Sequence, residues 1–316
     1  MNIYKGIESI KNIINPVLTI GTFDGVHIGH QKIIHQLNEE ASKINGESAL
    51  LTFFPHPRMV LQPNDHSLKL IQTQDEKIKK LAEFGLQNLI VIPFTKEFSN
   101  LSAIDFVESI LVNRLKIKKI IIGYDHQFGN NREGDLKFLA NIASKYDFEV
   151  IEIPAQEIND VNVSSTQIRN AILNGDIHIA NKYLGQSFKI NGTIVKGKQL
   201  GRTIGFPTAN VKIESPYKII PAIGVYNVVI KLQDSTNTYK GMMNIGYRPT
   251  VSNELELSIE VHLLDFSKDI YNQFITVDVL NKIRNEKKFP SIDHLKAQLK
   301  EDEQTCRAFF SSCNSI

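Results

Sequence analysis

The hydrophobic pattern of this 316-residue chain changes at about residue 185. Before that point, short apolar runs alternate with helical patterns, which is the order expected of a parallel sheet wrapped by helices. After it, strand-like segments are separated by Gly, Pro, Asn and Asp, which is typical of a small barrel or sandwich. The chain is also longer than a single core usually grows. We therefore predict an α/β domain over residues 1–185 and an all-β domain over residues 186–316.

The first half contains apolar runs that fit buried parallel strands. The run Ile120-Ile121-Ile122 has no polar alternation, as expected of a strand that is covered on both faces. Leu37 and Ala41 fall on one face of an intervening helical pattern. The predicted strands cover residues 17–21, 49–54, 89–92, 119–123 and 149–153.

A helix is predicted to close the chain. Ser291 suits its N-cap, and an apolar stripe follows at helical spacing. The stripe comprises Ile292, Leu295, Leu299, Cys306 and Phe310. Cys306 is therefore expected to belong to a core, and with Cys313 as the only other cysteine the chain has no disulfide framework or zinc site.

Composition narrows the classes of function. With 42% hydrophobic and 22% charged residues the chain fits a folded soluble protein. A formal charge of +2 gives no general electrostatic reason to expect nucleic acid or an anionic membrane as partner. The N-terminus lacks the apolar core of a signal peptide, and no apolar stretch approaches the roughly 20 residues of a membrane span. We expect a cytoplasmic protein, and leave open whether it forms a homo-oligomer.

The stretch TIGTFDGVHIGHQKII (19–34) joins a predicted strand to a predicted helix. Open α/β sheets bind ligands at such strand ends. Glycines 21, 25 and 29 let backbone N–H groups approach a phosphate, and the helix start points further donors to the same place. His27 and His30 would complete an anion cradle. The alternative is a Gly-rich turn with two surface histidines, which the position after a strand disfavours.

The sequence HIGH at 27–30 matches the signature of the nucleotidylyltransferase superfamily, and GTFDGVHIGH resembles the FMN adenylyltransferase module of bacterial FAD synthetases. Further segments fit that module in order: TFFPHPRMVL (52–61), VIPFTKEFSNLS (91–102), IIGYDHQFGNNREGD (121–135) and VSSTQIRNAILNGD (163–176). The resemblance implies a Rossmann-like domain of HIGH type. It also implies attack of the FMN phosphate on the α-phosphorus of ATP, with release of pyrophosphate.

That resemblance assigns roles to two groups of residues. His27 and His30 would supply fixed donors where charge develops on the α-phosphate. A second phosphate group at a helix start would bind the leaving pyrophosphate. It consists of Ser164, Ser165, Thr166 and Arg169. Simple N-capping also explains this segment, and both roles are compatible.

Other residues of the first half are weaker candidates for nucleotide binding. Phe23 and Asp24 lie in the loop before the histidines, and His56 would line the nucleotide pocket. Asp24 and Asp125 would orient a ribose, help to hold Mg²⁺, or only satisfy a turn.

Two departures from the family pattern concern the flavin side. Phe54 stands where related sequences often carry an acid, and His126-Gln127 stands where the family more often shows Phe-Arg. The flavin pocket is therefore expected to differ in shape.

In the second half, GKQLGRTIGFPTANV (197–211) is rich in glycine. Gly197, Gly201 and Gly205 suit a loop that wraps polyphosphate, and Thr208 offers a hydroxyl to Mg²⁺. A turn-rich barrel corner is the structural alternative.

The strand LSIEVHL (257–263) alternates, so Glu260 and His262 project together away from the core. A carboxylate on a rigid strand is well placed as a general base. An ordinary solvated strand face is the alternative.

Five segments of the second half resemble riboflavin kinase, a six-stranded barrel: GRTIGFPTAN (201–210), GVYNVVI (224–230), GMMNIGYRPT (241–250), IEVHLLDF (259–266) and IRNEKKFPSIDHL (283–295). The resemblance implies transfer of the ATP γ-phosphoryl group to the ribityl 5′-hydroxyl, leaving ADP. Mg²⁺ would be held near Thr208 and Asn210, Pro207 would border the nucleotide, and Glu260 would activate the hydroxyl. Asn272 replaces a usual Gly and is expected only to loosen a turn.

The leading hypothesis is a bifunctional enzyme that converts riboflavin to FMN and FMN to FAD, each with MgATP. One alternative is a flavin-binding sensor or store without turnover. Another is transfer of a nucleotide to a different phosphorylated acceptor. The presence of the catalytic side chains of both families favours catalysis.

Overall fold

The computed structural model describes residues 1–65, 67–123, 126–153, 163–197, 200–233, 235–249 and 255–313. The chain divides into two compact units, Met1–Ser165 and Thr166–Ile316.

Six of the strands that the structure describes form the parallel sheet of the first unit, in the order β1-β4-β3-β2-β5-β6. They are β1 (Asn2–Lys5), β2 (Val17–Ile20), β3 (Ser48–Phe54), β4 (Asn88–Pro93), β5 (Lys119–Gly123) and β6 (Glu149–Ile153). The predicted strands are all present, and β1 is an additional edge strand. Because β3 and β5 flank β2, the strand order reverses beside β2, and the loop after β2 lies where such sheets bind ligands.

Helices cover both faces of this sheet. They are α1 (Ile28–Lys43), α2 (Pro57–Leu61), α3 (Gln74–Glu83), α4 (Lys96–Ser99), α5 (Ala103–Phe106) and α6 (Leu136–Ala143). A π-helical segment, Val107–Arg114, continues α5, and 3₁₀ turns occur at Ile7–Ser9, Asn130–Arg132 and Ser144–Tyr146. Leu37 of α1 and Leu81 of α3 pack on one face with Leu50, whereas Phe106 and Leu139 pack on the other. This confirms the α/β class.

Six antiparallel strands close a barrel in the described part of the second unit, in the order β10-β11-β8-β7-β12-β9. They are β7 (Phe188–Val195), β8 (Ala209–Lys212), β9 (Gly224–Leu232), β10 (Thr238–Pro249), β11 (Leu255–Leu263) and β12 (Phe274–Arg284). The barrel expected from the resemblance is confirmed. The helices of this unit are α7 (Ser165–Asn174), α8 (Ile177–Leu184), α9 (Leu200–Thr203) and α10 (Ile292–Cys313).

Along the chain, the division between the two compact units falls after Ser165, about 20 residues before the predicted boundary at residue 185. The reason is that α7 and α8 pack with the barrel. The Ile172 carbonyl accepts from the Ala222 N–H at 3.2 Å, and the Asn181 side chain donates to the Val279 carbonyl at 2.9 Å. Asn181 also accepts from the Phe188 N–H at 2.7 Å, which ties α8 to the start of β7.

The terminal helix α10 packs on the barrel, as its stripe predicts, from Leu295 onward. Cys306 and Phe310 are buried with Met242, and the Cys306 Sγ lies 3.4 Å from the Gly241 carbonyl. Burial raises the pKa of the Cys306 thiol to about 11, so this cysteine is an unreactive core residue, as expected. Ile292, in the first turn, is 57% exposed and does not join the stripe. Among the helices described, none is long and apolar enough to cross a bilayer.

A buried ion pair fastens α10 to β12. Arg284 donates from Nε to Asp302 Oδ1 at 2.8 Å and from Nη2 to Oδ2 at 2.7 Å, and Asp302 is only 2% exposed. We predict that Arg284→Met lowers the free energy of unfolding of the barrel by about 3–5 kcal/mol, because it leaves a buried carboxylate unpaired.

Urea unfolding measures that change, and Arg307→Met is its matched control. Arg307 pairs with Asp265 and Glu303, whose side chains are 74% and 29% exposed, so its removal is expected to change the free energy of unfolding much less. Equal losses in the two variants would contradict the distinction between buried and exposed pairs.

Candidate active sites

The loop between β2 and α1 contains a stack of three aromatic rings. The rings of Phe23 and His30 lie 4.4 Å apart, and those of His30 and His27 lie 3.6 Å apart. His27 also caps α1, because its Nδ1 accepts from the His30 N–H at 3.4 Å. The structure thus brings both histidines of the signature together at the N-terminus of a 16-residue helix.

The backbone of this loop is shaped around the stack. Phe23 (φ 48°) and Gly25 (φ 92°) both lie in the left-handed region, which is strained for a residue with a side chain. A Cβ at Gly21 would lie 2.9 Å from the Phe23 ring, and one at Gly29 would lie 3.2 Å from the His27 ring. These two glycines therefore make room for the rings, in addition to their predicted approach to a phosphate.

His30 is electrostatically unusual. Burial lowers its pKa well below the ordinary histidine value, and the charges of His27 and Lys77 lower it further. The imidazole is therefore neutral at pH 7. Among the residues that the structure describes, its Nδ1 atom has no hydrogen-bond partner. A buried ring nitrogen of this kind indicates a site that a ligand or water completes.

Asp24 fixes loops of the first unit. Its carboxylate accepts from the Ile71 N–H at 3.0 Å and from the Gln72 N–H at 3.2 Å, and its carbonyl accepts from the Ser165 hydroxyl at 2.9 Å. Of the three predicted roles, these contacts match that of a turn-satisfying side chain. Asp125 lies outside the described residues.

Lys77, in α3, was not singled out by the sequence pattern. Its side chain is 8% exposed, and Nζ donates to the Thr22 carbonyl at 3.1 Å and to the Thr52 hydroxyl at 3.3 Å. Burial lowers its pKa to about 8, an effect that the charge of Asp24 partly offsets. The available signal was its spacing, four residues before the buried Leu81.

This lysine destabilises the folded state at neutral pH. Its pKa is lower folded than unfolded, so the cost is fully present below pH 8 and vanishes as pH rises past the ordinary lysine value. The difference corresponds to roughly 3 kcal/mol. A group retained at that cost is a candidate for function.

The remaining predicted residues of the first site are more dispersed. His56 caps α2 after β3, accepting from the Arg58 N–H at 3.2 Å. Ser164 is exposed and precedes α7. Thr166 and Arg169 belong to the second compact unit, exposed and half-buried respectively. Their roles stay predictions.

The two departures lie at strand ends. Phe54, the last residue of β3, is 46% exposed, and the His126 ring lies 6.1 Å from that of Phe128 after β5. Their effect on the flavin pocket stays a prediction.

In the barrel, Glu260 on β11 faces Asn210 of β8 on one side and Asn244 of β10 on the other. Thr208, the residue before β8, donates a hydrogen bond from its hydroxyl to Glu260 Oε2 at 3.0 Å. His262 Nδ1 lies 2.8 Å from the Pro207 carbonyl. The structure thus brings the predicted kinase residues close together. Asn244 lies beside them because the pairing of β10 with β11 places it opposite Glu260.

A cavity of about 350 Å³ is lined by Thr208, Asn210, Asn244, Glu260 and His262. Its apolar walls comprise Ile204, Phe206, Val225, Met242, Phe289, Leu295 and Leu299, and Gly201 and the charged Arg284, Glu286, Lys287 and Asp302 complete the lining. A second cavity of about 580 Å³ is lined by Arg202, Lys268, Asp269 and Tyr271. Thr208 lines both cavities, so a group transferred between their occupants would pass beside it.

The glycines of the 197–211 loop make room for these side chains. A Cβ at Gly197 would lie 2.2 Å from Asn210 Nδ2, and one at Gly201 would lie 2.2 Å from the Phe206 carbonyl. Gly205 has φ 87° and supplies the left-handed turn.

Within the described residues, no group of three or more His, Cys, Asp or Glu side chains could hold a metal ion. Thr208 and Asn210 offer neutral oxygens beside Glu260. Such a set fits Mg²⁺, which takes few protein ligands and completes its shell with substrate phosphates and water.

A family model described as FAD synthetase matches residues 9–167, and one described as riboflavin kinase matches residues 184–310. A Haemophilus influenzae protein named bifunctional riboflavin kinase/FMN adenylyltransferase is 38% identical over 99% of this chain and 100% of its own length. The chain belongs to the bifunctional riboflavin kinase/FMN adenylyltransferase family. A relative with the same name from Listeria monocytogenes is 39% identical over 94% of this chain and 93% of its own.

A solved structure has a similar fold. A crystal structure described as a macrolide-efflux protein from Streptococcus pneumoniae is 33% identical, with a TM-score of 0.87, and covers 97% of this chain and 99% of that one. Membership of the riboflavin kinase/FMN adenylyltransferase family confirms the resemblance drawn from the motifs, for both halves and in the predicted order.

Proposed function

We propose that the chain phosphorylates riboflavin to FMN in its barrel and adenylylates FMN to FAD in its α/β unit, with ATP as co-substrate in both reactions. The observation that carries the proposal is that each family-matched unit keeps an assembled set of reactive side chains. These are the His27 and His30 stack in one and the Thr208–Glu260 contact in the other.

For the kinase reaction, the apolar walls of the first cavity suit the isoalloxazine ring, with the ribityl chain directed to Glu260. Glu260 accepts the proton of the 5′-hydroxyl as its oxygen attacks the γ-phosphorus of ATP, and ADP leaves. Arg202 and Lys268 outnumber the single carboxylate of Asp269, so the lining of the second cavity has a net positive charge that suits a polyphosphate. Thr208 and Asn210 would hold Mg²⁺, which neutralises phosphate charge when bound.

For the adenylyl transfer, an FMN phosphate oxygen attacks the α-phosphorus of ATP and the bond to pyrophosphate breaks. Negative charge grows on the α-phosphate oxygens. The neutral His30, His27 and the amides at the start of α1 are fixed in advance to stabilise it.

The predicted nucleotide contacts complete the adenylyl-transfer proposal. Gly21, Gly25 and Gly29 admit the phosphates to the backbone, and His56 borders the nucleotide. The group at the start of α7 would hold the leaving pyrophosphate, with Ser164, Ser165, Thr166 and Arg169 as its members. Both reactions use small molecules, and we place them in the cytoplasm, without a nucleic acid or membrane partner.

The direct test incubates the purified protein with MgATP and either riboflavin or FMN, and separates the flavins by chromatography. Riboflavin is expected to yield FMN and then FAD, and FMN to yield FAD. A flavin store would return riboflavin unchanged. Transfer to another acceptor would give FMN without FAD.

Gly197→Ala is expected to reduce FMN formation by about 10²-fold. The added methyl displaces the Asn210 side chain, and a shift of about 1 Å in a reacting constellation costs that much. Initial rates from riboflavin measure the effect, and FAD formation from supplied FMN in the same sample is the internal control. Unchanged FMN formation would show that Asn210 has no part in the reaction.

A further inference from the structure

Lys77 is a buried cation whose hydrogen-bond partners carry no charge. Its ammonium donates to the Thr22 carbonyl and the Thr52 hydroxyl. The carboxylate of Asp24 exerts an attraction on it, but accepts hydrogen bonds from the backbone at Ile71 and Gln72. Within the described residues, no ion pair involves Lys77. A buried charge without a paired counter-charge is costly, so something else must account for its presence.

The partners of Lys77 lie at the ligand-binding edge of the sheet. Thr22 lies two residues after the end of β2, and Thr52 stands near the end of the neighbouring β3. The Thr52 hydroxyl also donates to the Thr22 carbonyl, at 3.4 Å. The lysine therefore reaches from α3 across the ends of two strands and holds the segment immediately before Phe23.

We infer that Lys77 is a positioning residue for adenylyl transfer: its ammonium fixes the loop after β2 through the Thr22 carbonyl and adds a positive charge beside the histidine pair. This inference rests on the proposed adenylyl transfer. The charge attracts the anionic phosphates of both substrates toward the stack.

The same charge helps to lower the pKa of His30. The titratable groups that interact with it are Asp24 in the loop and His30 at the start of α1. On α3, the Glu76 carboxylate accepts from the Thr73 N–H at 2.9 Å, which caps that helix. Because burial, His27 and Lys77 all disfavour a positive His30, the ring stays neutral and offers a single N–H donor.

Lys77→Met tests the inference, since Met keeps the length and apolar stem of the side chain and removes the charge. Lys79→Met is the matched control, because Lys79 is exposed on the same helix. In Lys77→Met, kcat/KM for FAD formation from FMN is expected to fall by about 10²-fold, whereas FMN formation from riboflavin stays at the wild-type rate. Lys79→Met is expected to match the wild type in both.

Two further readouts separate positioning from simple support of the fold. An NMR titration is expected to show the pKa of His30 rising in Lys77→Met but not in Lys79→Met. Thermal unfolding of Lys77→Met is expected at no lower temperature than that of the wild type, because a costly buried charge has gone. Lys77→Arg keeps the charge. Its His30 is expected to have the wild-type pKa, and its rate of FAD formation is expected to lie between those of Lys77→Met and the wild type.

Wild-type FAD formation in Lys77→Met, or a loss of activity with an unchanged His30 titration, would overturn the inference. If Lys77→Met does not fold, the inference is tested on the wild-type protein. The pKa of the Lys77 ammonium is expected to rise when a non-hydrolysable ATP analogue binds. An unchanged pKa would overturn the inference. Absence of FAD formation by the wild type would instead refute the proposed function.

Discussion

Replacing Glu260 by Gln is expected to reduce FMN formation from riboflavin by about 10²–10⁴-fold and to leave adenylylation of supplied FMN intact. Gln keeps the size of the side chain, and its amide oxygen can still accept a hydrogen bond from the Thr208 hydroxyl, so the shape of the cavity is preserved. What it loses is the ability to take a proton from the attacking hydroxyl. Initial rates with riboflavin and with FMN as separate starting materials measure the two activities.

Glu256→Gln is the control for that change, because Glu256 is exposed on the same strand. It is expected to behave as the wild type in both assays. Folded Glu260→Gln protein that still makes FMN at the wild-type rate, or that also loses FAD formation from FMN, would remove Glu260 from its proposed role.

His30→Ala is expected to have the opposite pattern: FAD formation falls by about 10²–10³-fold and FMN formation persists. The substitution removes a fixed donor and the middle ring of the stack between Phe23 and His27. Pyrophosphate release with FMN and ATP gives the rate, and conversion of riboflavin to FMN in the same preparation reports the other unit.

His35→Ala is the matched control, since His35 lies on the same helix with its side chain 80% exposed. Its effect on either rate is expected to be small. If His30→Ala and His35→Ala lost FAD formation equally, the stack would have no special part in the reaction.

The local hydrophobic pattern of the sequence was sufficient to predict most of the fold. The uninterrupted run Ile120-Ile121-Ile122 predicts a strand covered on both faces, and β5 is such a strand. The short β1 at the sheet edge lacks that signal, because only one of its four residues is buried. Strand β8 begins two residues after Pro207 in the Gly-rich segment, so its pattern resembles a loop, and only pairing with β7 and β11 makes it a strand.

Alternation along β11 predicted the outward direction of Glu260 and His262 correctly. The same alternation predicts that Leu257 and Val261 lie on the inner face, yet Leu257 is 39% exposed, whereas Val261 is fully buried. Periodicity fixes which face a side chain takes, but not how far the packed interior extends along the strand.

The sites were predictable only where their parts are close in sequence. The spacing of His27 and His30 at a helix start is sufficient to bring the rings together. Lys77 and Asn244 reach their sites through a helix packing on strand ends and through cross-strand register, and neither is visible in a single local pattern. Tertiary contacts of this kind contribute the electrostatics that a motif does not describe.

Tracing the two phosphates of FAD tests the two-step scheme most directly. The wild-type protein receives riboflavin with ATP labelled either at the γ-phosphorus or at the α-phosphorus, and the flavins are separated and counted. Label from the γ-position is expected in both FMN and FAD, and label from the α-position in FAD alone. FAD without γ-label, or FMN carrying α-label, would contradict a γ-phosphoryl transfer followed by an adenylyl transfer.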